Sequence, residues 1–187
     1  WIPERIKIYI DNKLGIVPLL GDYQYRASVS YNKASYLSML TDLMEVNPSN
    51  FEIISFAVIK VHLEKFACRV YRDTCTSAHD SGVDLSTNFG VVYQIKKLKV
   101  YNIQAAEKIY AELKSNFDIE RISDGNVVVV IDDIAHDVRQ FLINMKVQSI
   151  SKKELLSLVE LFDDAEDRAK ILRIVYDEFR REYSSNI

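Results

Sequence analysis

Between Glu120 and Asp133 the chain reads Glu-Arg-Ile-Ser-Asp-Gly-Asn-Val-Val-Val-Val-Ile-Asp-Asp, and no other stretch narrows the possible folds so far. Four valines and an isoleucine in succession are β-branched, stiff at χ1, and best accommodated on a pleated, buried surface. The run predicts a strand in the interior of a sheet. Asp124-Gly125, just ahead of it, has the composition of a tight turn whose central residues need positive φ. Together they predict a β-hairpin over Phe117 to Ile131, and with it antiparallel pairing.

That reading bears on chemistry. An apolar strand running into Asp132-Asp133 suits a magnesium-dependent nucleotide hydrolase when it is parallel and a phosphate loop accompanies it. Antiparallel pairing argues against this, and no G-x-x-x-x-G-K-[ST] segment occurs in a chain with only five glycines. No G-x-S-x-G elbow or cysteine-protease signature appears either. His79-Asp80-Ser81 holds three residue types of a hydrolase triad, but neighbours in sequence cannot converge as nucleophile, base and orienter.

The rest of the chain alternates strand-like and helix-like periodicity. Ile6 to Ile10, Ile16 to Leu20 and Tyr23 to Tyr31 read as strands. From Ala34, Tyr36, Leu37, Leu40, Leu43 and Met44 recur at helical spacing up to Asn47-Pro48. Phe51 to Tyr71 reads as a strand followed by a helix, because its first half is β-branched and aromatic. Asp73 to Gly90 is the longest predicted loop, Gly90 to Tyr101 a strand, and Ile103 to Asn116 a helix. Ser151-Lys-Lys-Glu154 has the spacing of a capping box and predicts a helix to Leu161, and Asp163 to Asp167 open a last helix.

The fold class expected from this order is α+β: an antiparallel sheet with a central helix, a β-hairpin and a C-terminal helical layer. Residues 1–132 would form the α+β domain and residues 133–187 a helical subdomain packed on it. With 187 residues, of which 48% are hydrophobic, the chain can bury roughly 70% of its unfolded surface and needs no disulfide. Two cysteines without regular spacing point to a reducing, intracellular and cytoplasmic setting. No apolar run reaches the ~20 residues of a membrane span. The chain begins at Trp1 rather than methionine, as a processed fragment would.

Three groups of side chains could carry function. His62, Cys68, Cys75 and His79 are residue types that zinc prefers, though their H-x5-C-x6-C-x3-H spacing lacks a paired knuckle. Tyr93, Lys96, Lys97, Lys99 and Tyr101 could neutralise phosphates and stack on bases, making nucleic acid a possible partner; alternatively, the lysines protect an edge strand from unwanted pairing. In a regular strand Tyr93, Ile95, Lys97, Lys99 and Tyr101 share a face, whereas a bulge near Lys96-Lys97 would send Leu98 and Val100 inward with Ile95. The helix from Ile103 followed by a hairpin also resembles the recognition helix and wing of a winged-helix module, but Glu107, Lys108, Glu112 and Lys114 balance in charge, as a solvated face does.

The net charge of −3 opposes a dominant role in wrapping nucleic acid, although Lys60 to Lys108 is mildly basic and the stretch from Ile109 to the end acidic. Apolar C-terminal helices and tyrosine-rich strands, with no paired catalytic motif, give the leading expectation. It is a non-enzymatic protein-interaction or structural domain, binding another protein or itself, with no cofactor. Nucleic-acid binding and a zinc-dependent module are the alternatives.

Overall fold

A computed structural model describes residues 32–73 and 83–184. The three strands expected before Tyr31, together with Cys75 and His79, lie outside them.

The first two helices are set by local signals. Asn32 caps α1 (Lys33–Val46), its side chain accepting from the Ser35 N–H at 3.1 Å. Asn47 does the same for α2 (Pro48–Glu64) at 2.7 Å, with Pro48 in the first turn, where its missing N–H costs nothing. Asn50, fully buried, donates from Nδ2 to the Leu43 carbonyl at 3.1 Å and ties the two helices together.

Phe51 to Val61 is therefore helical throughout, correcting the expected strand. The reason is burial on nearly every side: Phe51, Ile53, Ile54, Phe56, Ala57, Val58, Ile59 and Val61 are all inside. A helix that is apolar all round shows no amphipathic period, so β-branched residues there imitate a strand.

After α2 come β1 (Val70–Arg72), β2 (Leu85–Thr87), β3 (Val92–Val100), α3 (Ile103–Asn116), α4 (Ile119–Ser123), β4 (Val127–Ile134), α5 (His136–Asn144), β5 (Gln148–Ser151), α6 (Lys152–Glu160) and α7 (Ala165–Ser184). The five strands form one sheet in the order β1-β2-β3-β4-β5. β1, β2 and β3 pair antiparallel; β3, β4 and β5 pair parallel. The fold is α+β, with a mixed rather than an antiparallel sheet. The sheet crosses residue 132, since β4 spans it and β5 lies beyond it.

The hairpin over Phe117 to Ile131 is not formed. Phe117 closes α3, α4 follows, and Asp124-Gly125 ends α4: Gly125 takes φ +75° and donates to the Ile122 carbonyl, while Asn126 donates to Arg121. This is a left-handed helix cap, which asks for glycine as much as a hairpin turn does. The chain then enters β4 parallel to β3. Residues Val127 to Ile131 are buried in succession, as expected of a strand covered on both faces.

β3 lies between β2 and β4, so its lysines do not guard an edge. The register slips between Lys96 and Lys99, so of the two alternatives the strand is the irregular one; Val100 turns inside, but Leu98 remains exposed.

Two cores flank the sheet. On one face Tyr93, Val128 and Val130 meet α1, α2, α6 and α7. On the other, Val92, Val127, Val129 and Ile131 meet α3 and α5. Each fully buried valine contributes on the order of 1.5–3 kcal/mol. The capping box is present: the Ser151 hydroxyl accepts from the Glu154 N–H, and the Glu154 carboxylate accepts from the Ser151 N–H at 2.8 Å.

Candidate active site

Alternation along β3 sends Tyr93, Ile95 and Lys97 to the α2 face and Val92, Gln94 and Lys96 to the α3 face. Asp84, just before β2, lies across from Gln94. Its N–H donates to the Tyr93 carbonyl at 3.1 Å and its Oδ2 accepts from the Ile95 N–H at 2.5 Å, so its two bonds to β3 bracket Gln94.

Gln94 is only 4% exposed. Its Nε2 donates to Glu112 Oε1 on α3 at 3.1 Å, and its Oε1 is buried with no hydrogen-bond partner among the described residues. Lys96 Nζ reaches the same Glu112 oxygen at 2.6 Å. α3 is held in place by its Asn102 cap and by Ala106, Ile109 and Leu113, which point into the core and leave Glu112 beside the sheet. A carboxylate just ahead of β2, a carboxamide and an ammonium group on β3, and a second carboxylate on α3 thus stand on neighbouring segments. Most buried polar atoms are satisfied, so an orphaned amide oxygen in this company marks a site able to take a further partner.

The opposite face carries a charge-compensated cluster where the parallel strands end. Lys152 Nζ lies 2.7 Å from buried Asp132 Oδ1 and also pairs with Glu45, while Lys97 donates to the Glu45 carbonyl at 2.6 Å. The hydrogen bond from Lys152 holds Glu45 below the usual carboxylate range. Burial opposes the charge on Lys152, but its bonds to Asp132 and Glu45 prevail and raise its pKa. Nearby, Tyr101 donates to Asp133 at 2.7 Å, which raises the phenol and lowers the carboxyl.

The residues singled out as a nucleic-acid strip are therefore distributed. Tyr93 is in the core, Lys96 and Lys97 lie on opposite faces with acidic partners, and Lys99 and Tyr101 are exposed near Asp133. Of the zinc group, His62 sits on α2 with its ring edge-on to Phe66 at 5.4 Å, and its pKa is lowered by burial and by Lys65. Cys68 is buried beyond the end of α2. Among the described residues no three His, Cys, Asp or Glu side chains are grouped to hold a metal ion.

Sequence reading flagged Lys96, took Glu112 for one charge of a solvated helix face, and passed over Asp84 and Gln94. The signals available were one acidic residue at the end of a polar stretch and a Gln-x-Lys alternation on the following strand. Both are weak without knowing that the two segments pair.

Fold and site together define a mixed-sheet α+β protein with a polar centre built on β2, β3 and α3. The chain belongs to the HaeII restriction endonuclease family, whose model matches residues 25–184. No curated protein matches it. Membership in a family of endonucleases overturns the expectation of a non-enzymatic interaction or structural domain. The absence of a familiar catalytic motif was the main support for that expectation, and here the polar groups are assembled by strand pairing and helix packing. No helix among the described residues is long and apolar enough to cross a membrane.

Proposed function

We propose that the protein is a DNA endonuclease whose reaction centre is built from Asp84, Gln94 and Lys96. The observation that carries this reading is Gln94 Oε1, buried and without a partner among the described residues, on a side chain that shares the Glu112 carboxylate with Lys96, in a chain of an endonuclease family. Phosphodiester hydrolysis joins a water oxygen to phosphorus as a P–O ester bond breaks, with a proton delivered to the departing oxygen. The pentacoordinate phosphorus gathers negative charge, and fixed positive charge is what lowers that barrier.

Asp84 and Gln94 Oε1 are hard oxygen donors. Mg²⁺ is commonly held by one or two carboxylates with substrate phosphates and waters completing its shell, so this short donor set fits it. Such an ion supplies Lewis acidity at the phosphoryl oxygen and a more acidic bound water. Lys96 places an ammonium on the same face and offsets charge on the phosphate. DNA is the partner that follows, with Lys99 and Tyr101 as exposed contacts for phosphate and base.

The test is cleavage of supercoiled plasmid in Mg²⁺. Asp84→Asn and Lys96→Ala should each slow cleavage by about 10²-fold or more while keeping the wild-type circular dichroism. Either variant cutting at the unsubstituted rate sinks the assignment.

A further inference from the structure

A carboxamide has a donor end and an acceptor end of nearly equal size, and a half-turn exchanges them. Which end Gln94 offers to a cation is therefore decided by what holds the other end. Glu112 is an acceptor and takes Nε2 at 3.1 Å, which turns Oε1 away from it into a buried position without a partner among the described residues. The same Glu112 oxygen takes Lys96 Nζ at 2.6 Å, so one carboxylate orients both β3 side chains.

We infer that Glu112 is a positioning residue of this centre: it locks Gln94 with its oxygen presented as a cation donor and sets the Lys96 ammonium beside it. The inference rests on the Asp84, Gln94 and Lys96 reading of the site. Glu112 acts through Gln94, so without it the amide can turn its NH₂ toward the cation, which repels it. The anchoring is rigid because Leu113, the next residue, is fully buried in the α3 face of the core.

The experiment is Mn²⁺ binding to the protein without DNA, followed by the electron paramagnetic resonance of free Mn²⁺. The proteins compared are the unsubstituted chain, Asp84→Asn, Gln94→Leu, Glu112→Leu, Glu112→Gln and the Gln94→Leu/Glu112→Leu double variant. Thermal unfolding confirms that each is folded. Glu112→Leu should weaken binding on the order of ten- to a hundredfold, as loss of a residue that orients a ligand does. Gln94→Leu should do the same, and the double variant should be no weaker than Gln94→Leu alone. Glu112→Gln, which keeps the shape and one acceptor oxygen, should lose less than Glu112→Leu.

Additive losses in the double variant would show Glu112 binding the cation directly and overturn the inference. So would unchanged binding in Glu112→Leu while Asp84→Asn loses it. If Asp84→Asn binds as well as the unsubstituted protein, or if the latter binds no Mn²⁺ at millimolar concentration, the cation site itself is wrong, which is a separate failure.

Discussion

Arg72 is a residue whose loss the fold should tolerate poorly. Its side chain is 6% exposed and joins three elements: Nε and Nη2 meet Glu52 Oε1 of α2 at 2.9 and 2.8 Å, and Nη1 meets Glu178 Oε2 of α7 at 2.7 Å. Glu178 is itself only 9% exposed, whereas Glu52 at 27% reaches water. Arg72→Ala would strand the Glu178 carboxylate in a poorly solvated place, with Arg181 still bonded to its other oxygen at 2.8 Å. Breaking a buried pair from one side costs about 3–5 kcal/mol. For a chain of this size each kcal/mol lowers Tm by roughly 2–4 °C, so the expected fall is about 6–20 °C. Urea unfolding with linear extrapolation gives the free energy directly. The cost should come from the orphaned charge rather than from the lost attraction, so Arg72→Met combined with Glu178→Met should recover most of it. A loss below about 1 kcal/mol in Arg72→Ala would refute the reasoning, since surface pairs are worth that little. A double variant as unstable as the single one would refute it equally.

Two further outcomes follow from local geometry. Glu154, held by Arg139 and by the Ser151 N–H and hydroxyl, has its pKa lowered to about 2. A depressed carboxyl stabilises the fold fully above its unfolded pKa, here 4.5, and that stability is lost as pH falls toward 2. The side chain is 46% exposed, so solvent screening limits the contribution to about 1 kcal/mol; Glu154→Gln should match the parent in denaturant titrations near pH 2 and be weaker at pH 7. A pH-independent deficit would point to shape rather than charge. Gly125→Ala meets no atom within 4 Å of the added Cβ yet must hold φ +75°, so it should cost about 1 kcal/mol from backbone strain alone; no change in the urea midpoint would rule out the left-handed cap.

Helices whose ends are written in the chain are legible from local sequence. Asn32 and Asn102 cap α1 and α3, the Ser151–Glu154 box opens α6, and each helix has one apolar face. The bulge in β3 is legible only as one of two alternatives, because two adjacent lysines fit a regular strand and an interrupted one alike. α2 is not, since burial on all sides removes the period that distinguishes helix from strand. The direction of β4 is not either: Asp124-Gly125 serves a hairpin and a helix cap alike, because both need a residue at positive φ.

The site divides in the same way. Lys96 stands out by composition, but as part of a basic strip that the sheet splits between two faces. Glu112 looks like one charge of a solvated helix face, because nothing within α3 shows that the helix lies against Gln94. The sequence alone determined which segments are helical or extended where caps and periods are local, and that no phosphate loop exists. Only the tertiary structure decided that β3 is central, that β4 runs parallel to it, that Asp84 is bonded to the β3 backbone on either side of Gln94, and that Gln94 and Lys96 share Glu112. Local patterns record how a segment satisfies its own backbone, whereas the partner of a strand or a polar side chain is chosen by packing across residues distant in the chain.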